Sequence, residues 1–394
     1  MQTPAESALL PTGLSDLLPP DAAFEAAVVD RLTALFASQG YERIKPPLIE
    51  FETSLLTGAG AAMAEHTFRL MDPISHRMMG LRADMTPQVA RIAATRLRNS
   101  PRPLRLSYAG QVLRVKGSEL KPARQLGQVG IELIGAEGPA ADAEVILLAA
   151  ETLTALGMEG LTIDLNLPTL VPAAAQALGF RKAAIKSLVQ ALDRKDAAAV
   201  AGHAGRHAAL FQGLIAAAGP ARRSLAALDR LELPADAAEE RCRLGEVVAY
   251  VLRALPKLHL TIDPAEHRGF EYYNGIGFSL FARGARNELG RGGRYVSGEG
   301  EPSTGFSLYL DSLIQALPAP AAPRRILLPL GTARAAAARL RRQGWVTIGA
   351  LHATTDMMEE ARRLHCSHVW QGARALPVAR AVAKTAARRR KSKA

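Results

Sequence analysis

SYAGQVLRVKGSELKPARQLGQVGIELIG, residues 107–135, is the stretch that decides how this 394-residue chain is put together. Residues 104–114 and 124–135 alternate apolar and polar side chains, and a polar loop at 116–122 separates them. That period of two predicts a pair of strands. In the second, Gln128, Gly130 and Glu132 share one face while Val129, Ile131 and Leu133 share the other. A glycine between two polar residues leaves room for something to lie against the sheet. An amide and a carboxylate two positions apart can hold an ammonium group. Taken alone, the same pattern fits a polar strand face turned to solvent. An uninterrupted first strand puts Tyr108 and Arg114 on one face. A guanidinium there matches a carboxylate through two parallel hydrogen bonds, or forms an ordinary surface ion pair.

Upstream, LPTGLSDLLPPDA contains turn formers without a period and reads as an extended arm. A helix begins at Asp21, read as its N-cap, carries Phe24, Val28, Leu32, Leu35 and Phe36 on one face, and stops at Gly40. LRADMTPQVAR at 81–91 places Asp84 and Thr86 at the mouth of a second helix, with Pro87 at its first position. Such a pair ordinarily caps the helix; Asp84 can also accept a hydrogen bond from an amine or imidazole. Downstream, 141–156 is helical, and 172–255 is an Ala-, Leu- and Arg-rich helical insertion. Strand character returns at 258–263 and 272–283. HRGFEYYNG at 267–275 crowds a cation, glycines and the pair Tyr272-Tyr273, whose hydroxyls suit an imidazole. GRGGRY at 290–295 is a glycine-rich basic run, a weak anion signal by itself. The linker LPAPAAP at 317–323 precedes a small α/β unit at 324–372, with strands at 326–329 and 346–351 and helices at 334–342 and 357–364. Residues 373–394 read as a basic, disordered tail.

Composition narrows the function classes. A net charge of +12 invites a nucleic-acid partner, but eight of those charges lie from Arg374 onward, with no aromatic residue among them to stack on a base. Two widely spaced cysteines, Cys242 and Cys366, predict a reduced, cytoplasmic chain. No apolar run is long enough to span a bilayer, and Glu6 without a basic start argues against an export signal. The nine histidines show no metal-ligand spacing, and no phosphate-loop or dinucleotide fingerprint is present, so neither metal nor cofactor is expected.

The order of LPTGLSDLLP, LRADMT, the two strands with Arg114 and Gln128, RGFEYY, GGRY and GFS resembles the core of histidyl-tRNA synthetase over roughly residues 8–320. RADMTPQVAR looks less like a synthetase, which favours RPEGT there. It is more similar to the synthetase paralogue that serves as the regulatory subunit of ATP phosphoribosyltransferase. The resemblance implies an α+β fold: a class II aminoacyl-tRNA synthetase-like antiparallel sheet flanked by helices, with the helical insertion and the small C-terminal α/β domain. It implies a histidine pocket of Asp84, Thr86, Arg114, Gln128, Glu132, Arg268, Tyr272 and Tyr273. Gln128 and Glu132 would hold the α-amino group, Arg268 would face the carboxylate, and Tyr273 with Asp84 the imidazole. The implied partners are a short catalytic ATP phosphoribosyltransferase subunit and further copies of this chain, a homodimer or higher within a hetero-oligomer. Histidine would act as feedback ligand, and tRNA would not be a partner.

The departures fall on the nucleotide side. Val115-Lys116 stands where synthetases have His-Glu, which reverses the charge beside ATP and its magnesium. In GFSLYLDSL at 305–313, Tyr309 occupies the place of a glycine and Ser312 that of a phosphate-gripping arginine. The lost contact is worth about 3 kcal/mol at a buried site. The expectation is a non-catalytic regulatory subunit; the competing reading is a histidyl-tRNA synthetase or another ATP-dependent histidine-activating ligase.

Overall fold

The computed structural model describes residues 9–117, 122–267 and 272–379. The chain divides into a unit ending at Pro318 and a second beginning at Ala319. The first opens with α1 (Asp21–Ser38), β1 (Glu42–Arg43), β2 (Ile49–Phe51), α2 (Glu52–Leu55), β3 (Arg69–Met71) and β4 (Met78–Leu81). It continues with α3 (Thr86–Thr95), the long strands β5 (Leu104–Leu113) and β6 (Gln125–Ile134), α4 (Pro139–Leu156) and β7 (Thr162–Asn166). The helical insertion comprises α5 (Leu170–Ala177), α6 (Lys182–Asp193), α7 (Ala197–Ala204), α8 (Ala208–Ala216), the two-residue β8 (Gly219–Pro220), α9 (Ala221–Leu228) and α10 (Ala235–Ala254). The sheet resumes with β9 (His259–Asp263), β10 (Gly277–Phe281), β11 (Gly290–Val296) and β12 (Pro302–Tyr309), and α11 (Leu310–Ala316) closes the unit.

Nine of these strands form one sheet in the order β1-β5-β6-β12-β11-β10-β7-β9-β8. From β5 to β7 every neighbour is antiparallel, as expected, but β1·β5 and β7·β9 are parallel. The insertion separates β7 from β9 and is long enough for the crossover that a parallel return demands. One further expectation needs correcting: residues 272–276 precede β10 rather than forming part of it. The glycine-rich basic run at 290–295 is strand β11. Its glycines are packing requirements: a Cβ on Gly292 would lie 2.5 Å from the Phe278 ring and 2.7 Å from Cβ of Phe306.

One face of the sheet carries the core. Val129, Ile131, Leu133, Phe278, Phe306 and Leu308 are buried in one cluster with Val28, Leu32 and Phe36 of α1 and Val145, Ile146 and Leu153 of α4. The four-residue spacing in α1 is the stripe anticipated from sequence. Asp21, however, is the first helical residue and the cap position is Pro20, with no side-chain cap bond. There the carboxylate meets the helix dipole instead of an amide. Phe306 meets Phe36 edge-on with centroids 5.8 Å apart. Phe306→Ala is therefore expected to destabilise the unit by about 3–5 kcal/mol. The check is a lowered midpoint with unchanged slope in denaturant unfolding.

The second unit is a four-stranded sheet, β14-β13-β15-β16, from β13 (Arg325–Leu328), β14 (Val346–Gly349), β15 (His368–Gln371) and β16 (Arg374–Pro377), with helices α12 (Arg334–Arg342) and α13 (Met357–Arg363). Ile326 and Leu328 pack with Leu340 and Trp345, and Leu327 and Val369 with Ala361 and Cys366. β16 overturns the placing of the tail at 373. Gly372 and Ala373 adopt positive φ, turning the chain back so that β16 pairs with β15. Charge counting could not see this hairpin. The rest of the expected tail, from residue 380, lies outside the described residues.

Candidate functional site

The opposite face of the sheet is polar and, along β6, buried; the solvent-facing reading does not hold. Register aligns its side chains in rows. Gly110, Gln128 and Tyr309 form one, and Tyr108, Gly130, Ser307 and Arg291 the next. Glu132 faces Gly305, which in turn faces Gly293. A Cβ on Gly130 would sit 2.5 Å from the Tyr108 hydroxyl. The glycine thus makes room for tyrosine, where the pattern had been read as space for a ligand. A Cβ on Gly305 would collide with the Glu132 carboxylate.

Glu132 is the centre of this face, only 1% exposed. Hydroxyls from three separate elements donate to it: Thr86 of α3 at 2.8 Å, Tyr108 of β5 at 3.2 Å and Tyr295 of β11 at 2.9 Å. Gln128 donates through Nε2 to Ser307 Oγ at 2.7 Å, and Ser307 lies 2.8 Å from the Tyr108 hydroxyl. A single donor direction therefore runs Gln128 to Ser307 to Tyr108 to Glu132. Burial dominates the carboxyl's acidity and pushes its pKa up to about 8, against the three donors that favour the ionised form. A buried carboxylate so poised gains strongly from an arriving cation.

The other anticipated residues divide. The cap position of α3 is Met85, with no side-chain cap bond; Asp84, one residue earlier, accepts the Thr86 N–H at 2.8 Å in a local turn, whereas the Thr86 hydroxyl turns inward to Glu132. The Gln128 carbonyl accepts the Met85 N–H at 2.9 Å, which ties α3 to the sheet. Arg114 lies one residue past the end of β5, and its Nε is buried without a hydrogen-bond partner among the described residues. A ligand carboxylate would satisfy it. Tyr272 and Tyr273 stack at 4.0 Å and share a 2.6 Å hydroxyl bond. The Tyr273 ring lies over Gly293, 2.8 Å from where a Cβ there would be. Tyr295 joins them in one aromatic cluster, linking the pair to Glu132. Arg268 lies outside the described residues.

Of the residues at which the sequence departs from a synthetase, Tyr309 ends β12 beside Gln128, and burial pushes its hydroxyl up to about 12 against the charge of Arg291. Ser312 is buried within α11 and Lys116 is exposed. Sequence reasoning left Tyr108, Tyr295 and Ser307 outside the pocket. The signal was available: each shares the parity of a neighbouring polar residue on its own strand. Only the strand order β5-β6-β12-β11, in which β12 lies between β11 and β6, shows that those parities meet on one face. Among the described residues no group of His, Cys, Asp and Glu could hold a metal, and no helix is long and apolar enough to cross a membrane.

The family model for histidyl-tRNA synthetase matches residues 13–313. An ATP phosphoribosyltransferase regulatory subunit of Rhodospirillum centenum is 59% identical, covering 93% of this chain and 95% of that protein. One from Paramagnetospirillum magneticum is 58% identical, covering 93% and 97%. Among solved structures, an ATP phosphoribosyltransferase regulatory subunit/histidyl-tRNA synthetase from Bacillus halodurans C superimposes with a TM-score of 0.79 over 92% of this chain and 97% of that one. Its 22% identity makes this a likeness of fold. With a synthetase-type core and close relatives along nearly its whole length, the chain belongs to the family of ATP phosphoribosyltransferase regulatory subunits.

Proposed function

We propose that this chain is the non-catalytic regulatory subunit of an ATP phosphoribosyltransferase, and that its synthetase-like pocket binds histidine as the feedback signal. It would complete the activity of a short catalytic subunit in the first step of histidine biosynthesis, within a hetero-oligomer that holds two or more copies of this chain. The observation that carries the pocket is Glu132, a buried carboxylate held by three hydroxyl donors; Arg114, just past the end of β5, offers a buried Nε with no hydrogen-bond partner among the described residues. The buried carboxylate favours an ammonium and the guanidinium a carboxylate, the two charges that an amino acid carries. The stacked Tyr272 and Tyr273 supply hydroxyls suited to an imidazole. Two free thiols, Cys242 and Cys366, fit a cytoplasmic setting. Tyr309 and Ser312 speak against ATP activation, and tRNA is not proposed as a partner.

Feedback requires histidine to bind one state of the complex better than another. The test is phosphoribosyl transfer to ATP by the short catalytic subunit, with and without this chain, titrated with histidine. Activity is expected on mixing, and a fall as histidine is added. Histidine-dependent ATP–pyrophosphate exchange by this chain alone, without activation of the partner, would overturn the proposal in favour of an activating ligase.

A further inference from the structure

The charge of this chain is unevenly shared between its two units. Sixteen of its 49 Lys and Arg, but only three of its 37 Asp and Glu, lie from Ala319 onward. The first unit is therefore close to neutral, and the surplus of cations belongs to the second. Topology gathers most of them at one end. Strands β13, β14 and β15 run parallel, with α12 and α13 as the returns between them, so each helix finishes where the next strand starts. Arg339, Arg341 and Arg342 occupy the last turn of α12, and Arg362 and Arg363 that of α13. Arg324 precedes β13 at the same end, where its carbonyl accepts the Val346 N–H that opens β14. All six side chains belong to exposed residues. The described chain also finishes here, with the Val378 N–H on the Ser367 carbonyl, and seven more Lys and Arg follow in sequence from Arg380. Of the three acids, Asp356 and Glu359 stand at the opposite end, at the start of α13. Among the described residues only Arg363 of the six pairs with a carboxylate, that of Glu360. A helix dipole favours a cation at each C-terminus. It accounts neither for Arg324 nor for a pole of like charges that repel one another without compensating acids.

We propose that this cationic pole of the second unit is a docking surface for the phosphate backbone of a nucleic-acid duplex, bound without sequence preference. Guanidinium forks match phosphate oxygens two at a time. A protein surface interleaves both signs of charge and would leave some of the six unmatched, whereas a duplex presents a phosphate every ~1.7 Å along its axis. Two of the guanidiniums are held in place: Arg324 lies over the Trp345 ring, 4.0 Å from its centroid, and Arg341 donates to Thr347 Oγ1 at 3.0 Å. Trp345 is itself buried, covered by Arg324 and met edge-on by His368, so its ring does not serve as a platform for an unpaired base. The outside of a duplex is thus favoured over a single strand. Such a surface reads no bases and selects no particular RNA, and it is independent of what fills the pocket of the first unit.

Fluorescence anisotropy of a labelled DNA duplex of about 24 base pairs and arbitrary sequence, titrated with the full chain, tests it. Dissociation constants of ~1–100 μM at about 0.1 M salt are expected, with the logarithm of affinity falling against the logarithm of salt at a slope of about −5 or steeper. Arg339→Gln combined with Arg342→Gln should weaken binding about tenfold and make the slope shallower by about 2. Both side chains lie on the helix surface, so an unchanged melting temperature is expected. Arg334→Gln combined with Arg374→Gln removes the same charge at the opposite end of the unit and should leave affinity within about twofold. A chain ending at Ala379 should still bind, with a slope of about −4. No binding by the full chain, or equal losses in the two double variants, would overturn the proposal. So would a chain ending at Ala379 that does not bind, which would assign the effect to the last residues alone. Displacement of the duplex by poly-glutamate at equal charge would overturn it in favour of an acidic protein partner.

Discussion

Glu132→Ala should weaken histidine binding at least about a hundredfold, because the ligand ammonium loses a desolvated counter-charge. The side chain is the convergence point of α3, β5 and β11, and the nearby carboxylate of Asp84 is already engaged by the Thr86 N–H. Isothermal titration at pH 8 measures it. Glu132→Gln separates charge from shape: it keeps an acceptor for Thr86 and Tyr108 and loses the negative charge, while its amide N–H2 faces the Tyr295 hydroxyl, which must turn to accept. If the glutamine variant binds histidine as tightly as the parent, the ammonium is held elsewhere and the pocket assignment is wrong. If alanine weakens binding while thermal stability collapses, the glutamine variant decides.

Histidine affinity should also fall as pH is lowered through the titration of the same group. With its pKa raised from an ordinary 4.5 to about 8, the free pocket holds a proton at neutral pH. An arriving ammonium must expel that proton. Binding is thus expected to be about fivefold weaker at pH 7 than at pH 8, with close to one proton released per histidine. The effect steepens to about tenfold per unit below pH 7, where the ligand's own imidazole begins to charge near ~6.5. Titration in buffers of different ionisation enthalpy reads the released proton directly. Stability runs with the opposite sign. A carboxyl whose folded pKa is raised contributes stability that is fully present below about pH 4.5 and is lost as pH rises through about 8. The parent's melting temperature relative to Glu132→Gln should therefore decline over that window, and histidine should restore most at its upper end. A pH-independent affinity from pH 7 to 8 would mean that Glu132 is already ionised in the free pocket.

Much of the architecture was legible because it rests on local periodicity. The period-two stretches 104–114 and 124–135 became β5 and β6, and the Val28, Leu32, Phe36 stripe became the buried side of α1. The Pro/Ala segment at 317–323 spans the point where the chain divides into its two units. What misled was residue type judged without a partner strand. GRGGRY read as a weak anion signal, yet it is strand β11, and Gly292 is small so that Phe278 and Phe306 can pack against it. Arg374 was counted as tail charge although it opens a strand paired with β15.

The order of motifs along the chain was sufficient to point to the family that the comparisons show, because each motif is contiguous. Sequence alone also supplied the parity that puts Gln128 and Glu132 on one face. Only the tertiary structure decided whether that face was wet or dry, and what Glu132 touches. Strand order sets β12 and β5 on either side of β6, bringing Ser307 from 179 residues beyond Gln128 to within 2.7 Å of it, and the Tyr295 hydroxyl reaches Glu132 from β11, 163 residues on. Hydrogen bonds and desolvation act over a few ångströms, and separation along the chain carries no record of such distances.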